Sequence, residues 1–429
     1  IDRYYDRANT LDEMMREIDR DVDVIEDAEE LLRTREMEAE SQAAPVVKLV
    51  NSLLADAVQR GASDIHIEPY EKSMRVRYRI DGVLHDMMSP PTRLKSAIIS
   101  RLKIMAELDI AERRVPQDGR IKLRIGSRNI DMRVSTLPTI FDEKIVMRIL
   151  DKDNLQVDLH KLGFQPRPLE DFLKAIASPY GMVLVTGPTG SGKTTTLYSA
   201  LTKINTINVN IITTEDPVEY NLAGINQVQI NEEVGLSFAN ALRAILRQDP
   251  NIVMVGEIRD LDTASIATKA ALTGHLVLST VHTNDAPSTV GRLVDMGIEP
   301  FLVASSVRLI LAQRLVRRIC AKCKASVALP VEVLIEAGLT PEAAASAQIF
   351  KGTGCPGCNG SGYAGRVGLY EVMVMSPTLR EMVLDRASTA ELRERAINDG
   401  MIGLRQDALW KMTQGMTTLE EVLRETNSD

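Results

Sequence analysis

The chain has 429 residues, of which 44 % are apolar and 26 % are charged, the composition of a soluble globular protein. This length is too great for one ordinary hydrophobic core, so we expect several domains. The sequence lacks the run of about 18 apolar residues that a membrane-spanning helix requires, and no signal segment opens it. These features favour a cytoplasmic protein.

The net charge of −8 is concentrated at the start of the chain. Residues 1–41 contain fifteen acidic and six basic residues, a net charge of −9, which leaves +1 for all the others. We interpret residues 1–43 as an acidic linker or leader. Proteins that bind duplex nucleic acid usually have a basic face that neutralises several phosphates, so the nearly neutral remainder disfavours nucleic acid as a partner.

Residues 44–155 show the pattern of a compact α+β domain. Apolar residues recur at helical spacing over 46–58 and 93–106, which predicts two helices. Strands are predicted, from shorter apolar and alternating runs, at 64–68, 74–80, 121–125, 130–134 and 144–149.

The predicted strand 74–80 alternates strictly, so its three arginines share one face: Arg75, Arg77 and Arg79. Guanidinium groups on one face repel one another unless acids or a polyanion neutralise them. An ordinary solvated face is one explanation. The other is that some of these arginines stabilise the phosphates of a bound nucleotide.

From residue 163 to about residue 320, short apolar strands alternate with helical segments. The predicted strands are Met182–Thr186, Asn210–Thr213, Ile252–Val255 and Leu276–Ser279. Continuous apolar strands between helices are typical of a parallel sheet that is buried on both faces. The sequence therefore predicts an α/β domain with a parallel-rich sheet.

Residues 187–194, with the sequence Gly-Pro-Thr-Gly-Ser-Gly-Lys-Thr, match the phosphate-binding pattern G-x4-G-K-[ST] in full. They follow an apolar strand and precede a helical run, which makes a chance match to a glycine-rich turn the weaker explanation. Glycines let successive backbone N–H groups converge on phosphate. Lys193 would contact the β- and γ-phosphates, and Thr194 would ligate Mg²⁺. We predict that ATP is bound by Gly187, Pro188, Thr189, Gly190, Ser191, Gly192, Lys193, Thr194 and Thr195.

ATP hydrolysis also requires a carboxylate near Mg²⁺ and a group that activates water. Glu215 and Asp216 follow one predicted buried strand, and Glu257 follows another strand and a glycine. Ligands of parallel α/β sheets lie at the carboxyl ends of the strands, so these acids are expected to face the phosphate loop. An isolated acid at a strand end is otherwise a solvated loop residue, but the complete loop favours catalytic roles for Glu257 and Glu215.

Two of the five histidines, His275 and His282, bracket a predicted buried strand. The default interpretation is that both are ordinary core or loop residues. A shared metal site is disfavoured, because a strand of about 20 Å separates them. His282 lies at the carboxyl end of that strand and is the candidate to sense the γ-phosphate.

All four cysteines fall in two C-x2-C pairs, Cys320 with Cys323 and Cys355 with Cys358. Two such pairs form a tetrahedral four-thiolate zinc site when they come together. The 31 residues between the pairs exceed the common separation of about 15–20, and a small helical insertion would account for them. Disulfides are the alternative in an oxidising compartment, which nothing in the sequence indicates. We therefore predict structural Zn²⁺.

Four segments, in their order along the chain, resemble those of the secretion-superfamily ATPases that drive type IV pilus assembly and type II secretion. They are the phosphate loop 187–194, the acidic segment 211–220, the segment 246–260 and the histidine segment 273–285. Three earlier segments resemble the family's preceding domain, namely Asp64–Glu68, Arg79–Gly82 and Pro116–Arg120. The resemblance covers the chain from about residue 44 to its end.

The resemblance implies a RecA-like P-loop NTPase core with a parallel-rich sheet over 156–429, preceded by a smaller α+β, PAS-like domain over 44–155. The core would carry the four-cysteine zinc insertion, 318–362, and the C-terminal helices. It also implies hexameric rings in which nucleotide sits between the two domains. The family has a further N-terminal domain that docks on partner proteins, and we expect this chain, which begins at Ile1, to start after it.

For catalysis, the resemblance implies that Glu257 prepares the attacking water and Glu215 helps hold Mg²⁺ or its water. His282 would act near the γ-phosphate. Arg79 matches the family's arginine that closes over ATP, and we assign the second such arginine to Arg93.

The implied activity is ATP hydrolysis coupled to mechanical work on an inner-membrane platform protein, which would hold the motor at the cytoplasmic face of that membrane. The paired C-x2-C motifs resemble those of extension or secretion ATPases rather than retraction ATPases. Residues 284–289 and 301–306 resemble the pilus-assembly branch more closely. We therefore expect a motor for pilus assembly, with type II secretion as the alternative.

Two hypotheses from other classes are a nucleic-acid translocase and a nucleotide-binding scaffold without turnover. The nearly neutral body of the chain argues against a translocase, which requires a basic channel. The presence of both Glu257 and Glu215 argues against a scaffold.

Overall fold

The computed structural model describes residues 22–24, 44–126, 128–151 and 158–426. Contacts divide the chain into two compact units, Ile1–Leu155 and Gln156–Asp429. The acidic leader predicted over 1–43 lies outside the described residues, except for the short strand Val22–Val24. In the described part of the chain, no helix combines the length and apolar character needed to cross a membrane.

Over its described residues, the first unit contains one seven-stranded sheet and two α-helices, Ala44–Gln59 (α1) and Lys95–Met105 (α2). Its strands are β1 (Val22–Val24), β2 (Ala62–Pro69), β3 (Met74–Ile80), β4 (Val83–Met88), β5 (Gln117–Ile125), β6 (Arg128–Thr139) and β7 (Asp142–Asp151). The strand order is β1-β5-β6-β7-β2-β3-β4, and every neighbouring pair is antiparallel.

The two faces of this sheet differ because β3 alternates in polarity. Val76 and Tyr78 are fully buried, and the Tyr78 hydroxyl donates a hydrogen bond to the carbonyl oxygen of Leu53 in α1 at 2.7 Å. Buried apolar residues of both helices, among them Leu54 and Ile99, join the same core cluster. This face therefore supplies the hydrophobic burial that holds α1 and α2 on the sheet.

The opposite face of β3 carries the three arginines, and acidic residues of β2 neutralise them. Glu68 forms ion pairs with Arg75 at 3.1 Å and with Arg77 at 2.7 Å. Burial raises the pKa of Glu68, but hydrogen bonds from Arg77 and Arg75 lower it to about 2. Arg79 lies farther from its acid, 3.6 Å from Asp64.

The strands of the second unit are β8 (Gly181–Thr186), β9 (Ile211–Glu215), β10 (Asn226–Gln229), β11 (Ile252–Val255), β12 (Leu276–Val281), β13 (Val307–Ile319), β14 (Lys324–Val327), β15 (Ile349–Gly352) and β16 (Tyr363–Val374). Seven of them form its main sheet, in the order β10-β9-β11-β12-β8-β13-β16. All neighbours are parallel except β13 and β16, which confirms the parallel-rich α/β core predicted from the sequence.

Every residue of the four strands β8, β9, β11 and β12 is buried, as expected for parallel strands covered on both faces.

The helices of this unit are α3 (Pro166–Ile176), α4 (Lys193–Ile204), α5 (Phe238–Ile245), α6 (Leu261–Leu272), α7 (Ala286–Asp295), α8 (Pro300–Ser306), α9 (Val331–Glu336), α10 (Pro341–Ser346), α11 (Pro377–Leu384), α12 (Thr389–Asn398), α13 (Leu404–Thr413) and α14 (Leu419–Glu425).

The cysteine-bearing segment lies between the two long antiparallel strands β13 and β16. Within it, β14 and β15 form a separate two-stranded antiparallel sheet, and α9 and α10 lie between them in sequence. The segment therefore begins and ends at neighbouring strands of the main sheet. The insertion was expected from the cysteine spacing, but neither long strand was predicted from the sequence.

We expect that removal of one member of the buried ion pair between Lys103 and Glu143 destabilises the first unit. The two side chains are each 1 % exposed, and their charged atoms lie 2.8 Å apart. In Lys103→Met the Glu143 carboxylate is left buried without its cation, a change that costs about 3–5 kcal/mol. Amide hydrogen exchange of β5 to β7 in the intact chain measures this loss.

The double variant Lys103→Met with Glu143→Leu removes both charges and is expected to recover most of the protection. Arg114→Met, which removes the 87 %-exposed cation of the pair with Glu112, is the matched control and should change nothing measurable. Unaltered exchange in Lys103→Met would show that this pair does not stabilise the unit.

Candidate nucleotide site and cysteine cluster

Residues 187–192 form a loop between β8 and α4, at the carboxyl edge of the main sheet. Gly187 and Gly192 have φ angles of 141° and 88°, a conformation that residues with side chains rarely adopt. A Cβ atom at Gly187 would also lie 2.3 Å from the carbonyl oxygen of Gln313. Glycine is thus required both by the backbone conformation and by the close neighbour. The free N–H groups at the start of α4 lie next to this loop, an arrangement suited to an anion.

Lys193, the first residue of α4, spans the loop. Its Nζ atom donates hydrogen bonds to the carbonyl oxygens of Gly187 at 2.8 Å and Pro188 at 3.0 Å. Burial lowers the pKa of this lysine, and the charge of Glu257 opposes that effect. Next to it, Thr194 is exposed. The Lys193 ammonium group can therefore contact phosphate oxygens, and the Thr194 hydroxyl can contact a divalent cation.

Glu257 and His282 follow the neighbouring strands β11 and β12, and the structure brings their side chains together. Glu257 Oε2 lies 3.1 Å from His282 Nε2, and Glu257 Oε1 lies 2.6 Å from a guanidinium nitrogen of Arg259. The strands β11, β12 and β8 are parallel neighbours, so Glu257, His282 and the phosphate loop follow them at the same edge of the sheet. An acid, an imidazole and an ammonium group thus share one edge of the sheet.

Glu215 lies within its strand rather than beyond it, which corrects the predicted end of β9. The residue is 3 % exposed, and three donors contact its carboxylate: the Tyr198 hydroxyl, the Thr213 hydroxyl at 2.5 Å and the Gln227 amide at 3.1 Å. A buried carboxylate requires such donors. They tie the end of β9 to α4, which carries Tyr198, and the role of Glu215 at Mg²⁺ stays a prediction.

Two threonines that the sequence analysis did not identify join the phosphate-loop strand to the histidine segment. Thr186 ends β8, and its hydroxyl oxygen accepts a hydrogen bond from the backbone N–H of Thr283 at 2.8 Å. The Thr283 hydroxyl also lies 2.6 Å from that of Thr289 in α7. Because Thr283 directly follows His282, these bonds hold the backbone next to His282 beside the start of the loop.

The remaining predicted residues belong to other elements of the fold. His275 precedes β12 at its opposite end, and its Nδ1 lies 3.1 Å from the carbonyl oxygen of Ala270, as in an ordinary loop histidine. Arg79 lies on β3 and Arg93 in a short 3-10 helix, both in the first unit. Their roles toward phosphate stay predictions.

The four cysteines are free thiols that converge on one point. The sulfur atoms all lie within 4.8 Å of one another, with separations of 3.8 Å for Cys320–Cys355, 3.8 Å for Cys323–Cys358 and 3.7 Å for Cys355–Cys358. A tetrahedron with Zn–S bonds of about 2.3 Å has edges of about 3.8 Å. The donor set and spacing therefore fit one tetrahedral metal ion.

Comparison with known proteins agrees with this architecture. Residues 39–424 match the profile of a family described as type II/IV secretion system protein. The type IV pilus assembly ATPase PilB of Myxococcus xanthus is 56 % identical over 432 residues, which cover 100 % of this chain and 76 % of the relative. The type II secretion system ATPase E of Vibrio cholerae is 49 % identical over 401 residues, which cover 93 % of this chain and 79 % of the relative.

A solved structure of the pilus retraction motor PilT with bound ADP shares the fold, with a TM-score of 0.59 and 26 % sequence identity. The superposition covers 88 % of this chain and 96 % of that chain. The resemblance inferred from the four motifs is thereby confirmed. This chain belongs to the family of type II/IV secretion system proteins, and its relatives named here include ATPases.

Proposed function

We propose that this protein is a motor that hydrolyses ATP to power type IV pilus assembly. The observation that carries the proposal is that the phosphate loop with Lys193, and the contacting pair Glu257 and His282, follow three adjacent parallel strands at one edge of the sheet. A pilus assembly ATPase that is 56 % identical over the whole chain supports the choice of machine.

In this proposal each group at the edge has one task. The loop N–H groups and Lys193 bind the triphosphate, and Thr194 would hold Mg²⁺, which when bound neutralises phosphate charge. Glu257 orients the attacking water and accepts its proton. His282, paired with Glu257 at 3.1 Å, contacts the γ-phosphate region and reports its loss after hydrolysis.

Arg79 supplies further positive charge to the phosphates, with Arg93 as the second arginine. The ion pairs of β3 support this choice, because Arg75 and Arg77 donate hydrogen bonds to Glu68 whereas Arg79 lies 3.6 Å from Asp64. An arginine with a looser acidic partner is more easily redirected to a phosphate.

The motor acts as a homo-hexamer on an inner-membrane platform protein, which places it at the cytoplasmic face of that membrane. Type II secretion is the second candidate function, favoured by the relative from Vibrio cholerae at 49 % identity. Co-purification of this protein with the cytoplasmic part of a pilus platform protein, compared with that of a secretion platform protein, distinguishes the two. Selective capture by the secretion platform would reverse the assignment.

Lys193→Ala is expected to lower ATP turnover at least 100-fold, because it removes a charge-assisted donor to the transferred phosphate. Steady-state phosphate release from the full chain measures turnover. Lys203→Ala, on the exposed side of the same helix, is the control and should retain normal rates. Normal turnover in Lys193→Ala refutes the proposed catalytic site.

Glu257→Gln is expected to separate binding from hydrolysis. The amide keeps the shape of the side chain but accepts no proton from water, so kcat should fall about 10²–10⁴-fold while ATP affinity changes little. Glu233→Gln, at an exposed position outside the site, is the matched control. Full activity in Glu257→Gln would assign the base elsewhere, and an inactive unaltered chain that still binds ATP would support the scaffold hypothesis.

We propose Zn²⁺ as the ion of the cysteine cluster, held by Cys320, Cys323, Cys355 and Cys358. Metal analysis of reduced protein should return about one zinc per chain, and Cys323→Ser should lose most of it. Hydrogen exchange over 320–362 should then increase while nucleotide binding persists. The ion joins the two cysteine pairs of the insertion and does not contact the nucleotide site. Ser361→Ala is the control, and far less than one zinc in the unaltered chain contradicts the proposal.

A further inference from the structure

We infer that Gln313 is a positioning residue that holds the phosphate loop in the shape that binds nucleotide. Gln313 lies on β13, the neighbour of the phosphate-loop strand β8. Ala312 pairs with Thr186, the last residue of β8, so Gln313 lies beside the start of the loop. Its side chain is buried, with the residue only 2 % exposed.

Gln313 contacts both ends of the loop and the helix that follows it. Its side-chain oxygen accepts a hydrogen bond from the Thr196 hydroxyl of α4 at 2.8 Å. Its backbone oxygen would lie 2.3 Å from a Cβ atom at Gly187, and its amide nitrogen would lie 2.8 Å from one at Gly192. Both glycines, at the two ends of the loop, therefore lie directly against Gln313.

The carboxamide of Gln313 turns its two polar atoms in different directions. Because the oxygen accepts from Thr196, the amide nitrogen is the atom turned toward Gly192, directly before Lys193. A neutral N–H donor at this position adds no charge that would compete with phosphate for Lys193. The Gln313 side chain thus lies between the backbone of β13 and the phosphate loop. It orients the end of the loop without adding a charge that would neutralise Lys193.

Gln313 has no role in the proposed chemistry, but its positioning role depends on the proposed nucleotide binding. If it shapes the loop, its loss should weaken ATP binding. A purely structural defect would instead reduce the fraction of folded chains, and so lower kcat per chain while leaving Kd and KM unchanged. The change in Kd and KM, compared with the change in kcat, therefore distinguishes a positioning role from a purely structural one.

Gln313→Leu removes the acceptor at similar size, and Thr196→Val removes the donor. We expect each variant of the full chain to bind a fluorescent ATP analogue about 10-fold more weakly, with kcat at saturating ATP reduced less than threefold. The double variant should be no weaker than the weaker single variant, because both remove the same bond. Ser199→Ala, which removes another buried hydroxyl of α4, should bind normally.

Unchanged Kd and KM in Gln313→Leu, or losses that add in the double variant, would overturn the inference. If Gln313→Leu fails to fold, Thr196→Val decides, because it removes the same hydrogen bond with a side chain of the same shape. The folded Thr196→Val variant should lose ATP affinity about 10-fold, and unaltered affinity would also overturn the inference. Failure of the unaltered chain to bind ATP refutes the proposed function itself and is seen before any variant is made.

Discussion

Burial of both faces of the parallel sheet is the constraint on which the second unit depends. Every residue of β8, β9, β11 and β12 is buried, so a charged group on these strands carries a large desolvation cost. Glu215, the last residue of β9, meets this cost with three hydrogen-bond donors. The other charged groups of the site lie where the strands end and the chain first meets solvent. The phosphate loop, Glu257 and His282 follow three adjacent strands, and the strand order alone brings them to one edge.

Buried uncharged hydrogen bonds then fix the distances along that edge. The Thr186–Thr283 bond links the start of the loop to the histidine segment, and the Gln313–Thr196 bond links β13 to α4. Glu215 adds a third link, through the Tyr198 hydroxyl of α4. Such buried polar contacts are costly to leave unmade, so they specify one arrangement of loops that apolar packing alone would leave variable.

The sequence predicted the features that depend on local spacing: the parallel-rich core, the loop between β8 and α4, and the alternating face of β3. It did not predict β13, because α8 ends at Ser306 and the strand begins at Val307 without an intervening glycine or proline. The Thr186–Thr283 and Gln313–Thr196 contacts join residues 97 and 117 positions apart, and no periodicity records such pairs. Glu215 could be identified as a candidate, but its three donors and its burial depend on the same long-range packing.

The environments of the acids separate fixed groups from movable ones. Glu215 is 3 % exposed and bonded to uncharged side chains, so displacing them would leave a buried carboxylate without donors, which is costly. Glu257 is paired instead with His282 and Arg259, whose side chains are 45 % and 69 % exposed. Exposed ion pairs stabilise by only about 0–1 kcal/mol. Water can therefore replace His282 and Arg259 beside the carboxylate at little cost, and the two released side chains can contact phosphate instead. The carboxylate with the more replaceable partners is thus the one proposed to act on the attacking water.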